Sequence, residues 1–143
     1  MDVSERRNLI NSLDNELLKG GAVMSEWSVF VAQECDLAFE AGADLATVIT
    51  AATAAETYLR AEYGSASKQQ PFFELINQSP LPSDLKKDLH DLRRFRNQWV
   101  HIATPEDDQE IIDNPETYRT ELEKRAIHAQ RTLRRTLYEN QLV

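Results

Sequence analysis

The chain has 143 residues, enough for one domain around one hydrophobic core, and a formal net charge of −8. That acidity argues against a nucleic-acid binder held by charge alone, while leaving room for a small local anion site. Cys35 is the only cysteine, which excludes an intrachain disulfide, no zinc-ligand spacing occurs, and no apolar run has the length of a membrane span or the form of a signal peptide; the sequence reads as cytoplasmic, with no metal, cofactor or membrane implied.

In chain order the periodicity is helical throughout. Within 1–19, residues 4–18 carry Leu9, Ile10, Leu13 and Leu17 on one side, and Gly20-Gly21 ends the segment. Residues 23–41 place Val23, Trp27, Phe30, Val31, Leu37 and Ala38 at helical spacing, with Cys35 as a partly buried helix residue. Gly42 breaks that helix, and Asp44 is a plausible N-cap for the next, 44–63, whose inner face is Leu45, Val48, Ile49, Ala52, Ala55, Leu59 and Tyr63. Its alanines permit close approach by a neighbour. "GSASKQQ" reads as a loop and "PFFELIN" as one or two helical turns covering an end of a bundle.

Pro80 and Pro82 mark the next break, and a helix follows from about 82 to 101. Pro105 and the acidic "EDDQE" come after it, and Asn114-Pro115 starts a final helix over about 115–140 with Leu122, Ala126, Ala129, Leu133 and Leu137 as its stripe. The row Arg131, Arg134, Arg135 reads as a solvated face of that helix. Nothing alternates as a strand does. The whole chain, 1–143, is predicted to be a single all-α bundle of about five helices.

Charge is unevenly spread over these elements. Residues 1–63 hold eleven acids against four bases, and 102–114 hold five acids and no base, whereas 82–101 and 115–143 are each +2.

The helix over 82–101 contains one anomaly. Leu85, Leu89, Leu92 and Trp99 fall on one stripe, and the position that continues it between Leu92 and Trp99 is Arg96. An unpaired charge on a core-facing stripe costs several kcal/mol, so an acid, a ligand or a second subunit has to meet it. Arg96 is followed by Asn97 and, five positions on, by His101. Glu56, flanking the apolar face of the 44–63 helix, is the candidate acid for Arg96 or His101. It also has an i,i+4 neighbour in Arg60.

The segment "RNQWVH", late in a helix of an all-α chain of this size, resembles the R-N-x3-H motif of the HEPN superfamily, with the likeness covering roughly residues 20–140. The resemblance implies a homodimer with two motifs facing each other, and a metal-independent endoribonuclease of a toxin–antitoxin or antiviral setting, with RNA as substrate and an antitoxin or regulatory protein as a possible partner. It further implies that His101 is the general acid or base, that Arg96 holds the scissile phosphate, that Asn97 orients the pair or contacts the phosphate, and that Glu56 is the acidic residue of an earlier helix that pairs with Arg96 or His101. A histidine titrating near pH ~6.5 and a planar guanidinium fork suit those tasks. The alternative function is a catalytically silent HEPN bundle that binds RNA, nucleotides or a protein. Some relatives carry a tyrosine two residues after the histidine; Ala103 stands there, so silencing by modification at that position is not expected. On an ideal helix Arg96 and His101 point about 140° apart. A facing copy that completes the site and puts Arg96 and Trp99 at a two-fold interface is therefore the expectation.

Overall fold

A computed structural model describes residues 1–142. Among these the chain is all-helical, with α1 Val3–Leu17, α2 Glu26–Glu40, α3 Asp44–Tyr63, α4 Phe72–Gln78, α5 Ser83–Val100, α6 Gln109–Asp113 and α7 Pro115–Leu137. Five of these are long and α4 and α6 are short. The one β-type pairing among the described residues is an isolated bridge between Gly21 and Leu142, which ties the α1–α2 loop to the C-terminal segment.

Local chemistry sets the helix ends. Asp2 and Glu5 close a reciprocal capping box at the start of α1. The Ser25 hydroxyl caps α2 at the Ser28 amide. Gly42 takes φ 79° in the α2–α3 turn, a conformation that favours glycine. Asp44 does not cap α3. Ala43 holds that position, because the Asp44 carboxylate is taken by Arg6 at 2.6 Å. Pro115 starts α7 after Asn114.

α3 is the central helix, packed against α2, α4, α5 and α7. Ala51, Ala52, Ala54 and Ala55 are fully buried, as are Val48 and Leu59. Leu75, Leu85, Leu89, Leu133 and Leu137 close the main core around them.

The packing of α2 departs from the sequence reading. Val23, Trp27, Phe30 and Leu37 face solvent, Trp27 being 75% exposed, while Ser28, Cys35 and Phe39 are buried. The alanine face of α3 explains the choice. Cys35 shares the core with those alanines and Ala32 packs against it, small side chains suited to an alanine face as Trp27 and Phe30 are not. α2 is thus apolar on two faces, only one of which the chain covers.

Two arginines are structural. Arg6 is 4% exposed and joins Asp44, the Phe39 carbonyl (3.0 Å) and Glu123. Arg134, also 4% exposed, meets Asp14 at 2.8 Å, Asp36 at 2.9 Å and Gln130, and so links α7 to α1 and α2. Burial works against its charge, yet the paired Asp36 and Asp14 hold the guanidinium above its ordinary value. The solvated face expected for Arg131, Arg134 and Arg135 is therefore corrected. Arg134 is interior, and its neighbours make cross-helix pairs, Arg131 with Glu16 (2.9 Å) and Arg135 with Asp84 (2.8 Å).

Candidate functional site

The last two turns of α5 carry the motif. Leu85, Leu89, Leu92 and Phe95 hold the helix against the core. Arg96 lies at the edge of this stripe, its side chain 19% exposed. Three groups meet it. Glu56 of α3 accepts from Nη1 at 3.3 Å, the Asn97 Oδ1 accepts from Nε and Nη2 at 3.3 and 3.2 Å, and the Phe72 ring of α4 lies 5.6 Å from the guanidinium carbon. The charge on the apolar stripe is thus answered inside one chain. Within the chain Arg96 and Trp99 do not share one face of α5, which corrects that part of the expectation. Trp99 is turned to the other flank of α5, edge-on to Tyr118 at 6.2 Å between ring centroids.

Glu56 serves two arginines. Its Oε2 is 2.8 Å from Arg60 and its Oε1 is 3.3 Å from Arg96. Charge-assisted bonds are usually shorter than the second of these, so Arg60 is the tighter partner. A guanidinium has five N–H donors. Arg96 commits three, and two remain for an anion. Arg60 also donates to the Gln70 carbonyl at 2.8 Å, while its Nε is buried without a partner.

His101 is placed differently. It is the C-cap of α5, with φ −122° and ψ 66°, and its backbone N–H bonds to the Asn97 carbonyl at 2.9 Å. The helix ends one residue before it, so the ring is not bound to the spacing of an ideal helix. The side chain is exposed between Val100 (50% exposed) and Ile102 (55% exposed). Among the described residues no hydrogen bond or ion pair of the His101 side chain links it to Arg96, Asn97 or Glu56. The structure brings together Glu56, Arg96 and Asn97, and leaves His101 open at the helix end.

A second cluster continues from Arg96 along α5. Arg93 lies 5.2 Å from the Phe73 ring centroid, and its Nε donates to His90 Nδ1 at 3.4 Å. With Nδ1 accepting, the His90 Nε2–H donates to Asn77 Oδ1 at 2.8 Å, so the ring is the neutral Nε2–H tautomer. Burial and the charges of Arg93 and Arg94 lower its pKa. Arg93 in turn is held below its ordinary value by desolvation and by Arg94 and Arg96. Mutually repelling cations along one ridge favour a bound anion. The sequence offered no partner for His90, because Asn77 is thirteen residues away on α4. No group of three or more His, Cys, Asp or Glu positioned for a metal occurs among the described residues.

A comparison of the chain with protein-family models, curated proteins and solved structures finds no match to any of them.

Proposed function

We propose that the chain is a metal-independent endoribonuclease of HEPN type, acting as a homodimer. The observation that carries this reading is the state of Arg96. It is held in register by Glu56, Asn97 and Phe72, yet keeps two donors free five residues before an exposed histidine. Arg93 and Arg94 extend the positive ridge along which an RNA backbone would run.

In the proposed reaction His101 of one chain takes the proton of the ribose 2′-hydroxyl as that oxygen attacks the adjacent phosphorus. The P–O5′ bond breaks, and the leaving 5′-oxygen takes a proton from the imidazolium of the facing copy. The products are a 2′,3′-cyclic phosphate and a 5′-hydroxyl, with no water consumed. Arg96 exchanges its loose 3.3 Å contact with Glu56 for the phosphate, where a bidentate fork stabilises the developing charge. Glu56 keeps Arg60 and does not become an unpaired buried acid.

The test is cleavage of a mixed RNA by wild type, His101→Ala and Arg96→Ala, with end-group analysis and with EDTA present. Cyclic phosphate ends from the wild type alone, unaffected by chelator, are expected. Loss of activity in EDTA, restored by a divalent ion, overturns the metal-free route.

The alternative, a silent bundle that binds RNA or a nucleotide, is favoured by one observation, the missing link between His101 and the Arg96 cluster. It predicts no cleavage by any variant and anion binding lost in Arg96→Ala.

A further inference from the structure

On the flank of α5 opposite Arg96, a groove of ≈ 560 Å³ opens between the end of α5, the 102–111 segment and α7. Its size is that of a ligand cleft. Phe95, Trp99 and Tyr118 supply aromatic walls, with Trp99 and Tyr118 at 90° to each other. Asp107, Asp108 and Glu110 stand on the rim and make no ion pair among the described residues. Desolvation and the charge of Glu110 push the Tyr118 hydroxyl pKa up. The one base in the lining, Arg125, already lies over the Phe95 ring at 4.7 Å and is paired with Glu121 at 3.0 Å.

Aromatic faces attract cations, and here they are ringed by carboxylates that no cation neutralises, Glu110 being engaged only by the Tyr118 hydroxyl. Arg125 shows in place that this wall accepts a guanidinium. We propose that the groove docks a basic, apolar segment of a partner protein, with a lysine or arginine side chain lying against the aromatic wall that Trp99 and Tyr118 form together. Charge complementarity selects this occupant. A second copy that met the groove with its own groove face would bring its acidic 102–114 segment, five acids and no base, against the rim. An RNA would be repelled by the same carboxylates. Docking itself stands whether or not His101 is catalytic.

The probe is a synthetic amphipathic peptide of leucine and lysine, titrated against the full chain carrying Trp27→Phe, so that Trp99 is the sole tryptophan. A saturable change in Trp99 fluorescence, weakened by salt, is expected. Asp107→Asn/Asp108→Asn/Glu110→Gln should weaken binding roughly tenfold, about 1.4 kcal/mol shared over three exposed charges. Glu26→Gln/Glu34→Gln, on the distant face of α2, should leave it unchanged. The proposal is overturned if a leucine–glutamate peptide binds equally well, or if the rim variant binds as the parent does. It is also overturned if free spermidine saturates the signal at concentrations as low as the peptide, which would make the ligand a polyamine. All three rim residues are exposed, and circular dichroism verifies that the variants fold.

Discussion

Replacing Arg134 and Arg96 in turn by methionine separates an arginine that holds the fold from one held by it. Both lie on inward stripes, but their surroundings differ. The Arg134 side chain is 5% exposed and ties Asp14 on α1 and Asp36 on α2 to α7 at 2.8 and 2.9 Å. Methionine fills much of its volume and leaves two carboxylates facing each other with no cation, and Gln130 loses a donor. Removing one partner of a buried pair costs about 3–5 kcal/mol. The carboxylates are 35% and 32% exposed, so water reaches them and the lower figure applies, about 3 kcal/mol. At roughly 2.1 cal/mol/K of unfolding entropy per residue, a chain of this length loses about 10 °C in Tm. The Arg96 side chain is 19% exposed and has one carboxylate at 3.3 Å, which keeps Arg60 after the change. Its loss should cost about 1 kcal/mol or less, about 3 °C. Thermal unfolding followed by circular dichroism at neutral pH reads both. If Arg96→Met lowers Tm as much as Arg134→Met, Arg96 is a structural residue and the ribonuclease reading loses its main support.

Three further outcomes follow from single contacts. The Cys35 thiol is fully buried and its pKa is pushed up to about 12 by that burial, so an aromatic disulfide reagent at pH 8 should modify it only as fast as the chain unfolds; rapid labelling of the native protein contradicts the packing. Gly64→Ala should destabilise by about 1–3 kcal/mol, since the new Cβ would lie 2.5 Å from the Arg60 carbonyl oxygen at the end of α3, and an unchanged Tm would show that this turn relaxes freely. The His90 pKa lies below its ordinary 6.5 in the fold, so protonation favours the unfolded chain. Its contribution to stability is complete above about pH 6.5 and is lost as pH falls through the folded value; His90→Gln should flatten the pH dependence of Tm in that range, and identical profiles would refute the assignment.

The helices were legible because local rules set them. Gly42, the paired prolines at 80 and 82, and Asn114-Pro115 punctuate the chain where the helices end and begin, and the α7 stripe is buried at Ala126, Ala129, Leu133 and Leu137, with Leu122 partly buried. The orientation of α2 was not legible, since both of its faces are apolar and the choice was made by the alanines of α3, a contact between elements. The interior role of Arg6 and Arg134 was hidden for the same reason. Their acids lie 38 and 98 residues away, on other helices. At the candidate site the link from Glu56 to Arg96 was anticipated, and the competing pair with Arg60 is present as well and is the tighter of the two. Asn77 and His90 carried no signal in the sequence, because thirteen residues and a change of element separate them.

Where two copies of the chain would meet decides the homodimer reading. Motifs that face each other require contact at the end of α5, where Val100 and Ile102 stand exposed on either side of His101. The rest of the outward face of α5 is polar, with Lys87, Asp91 and Arg94 paired along it. The larger exposed apolar face is on α2, with Val23, Trp27, Phe30 and Leu37. α2 packs on α1 and α3, whereas α5 packs on α3, α4 and α7, so a dimer built through α2 would leave the motifs apart. A stable interface buries roughly 800 Å² per partner, and a charge placed at its centre disrupts it. Under the ribonuclease reading, Val100→Asp should convert a dimer to a monomer by light scattering and remove cleavage, while Phe30→Asp/Leu37→Asp should change neither. The reverse result would place self-association on α2, separate the two motifs, and sink the shared-site mechanism. A wild type that is monomeric at micromolar concentration would do so as well.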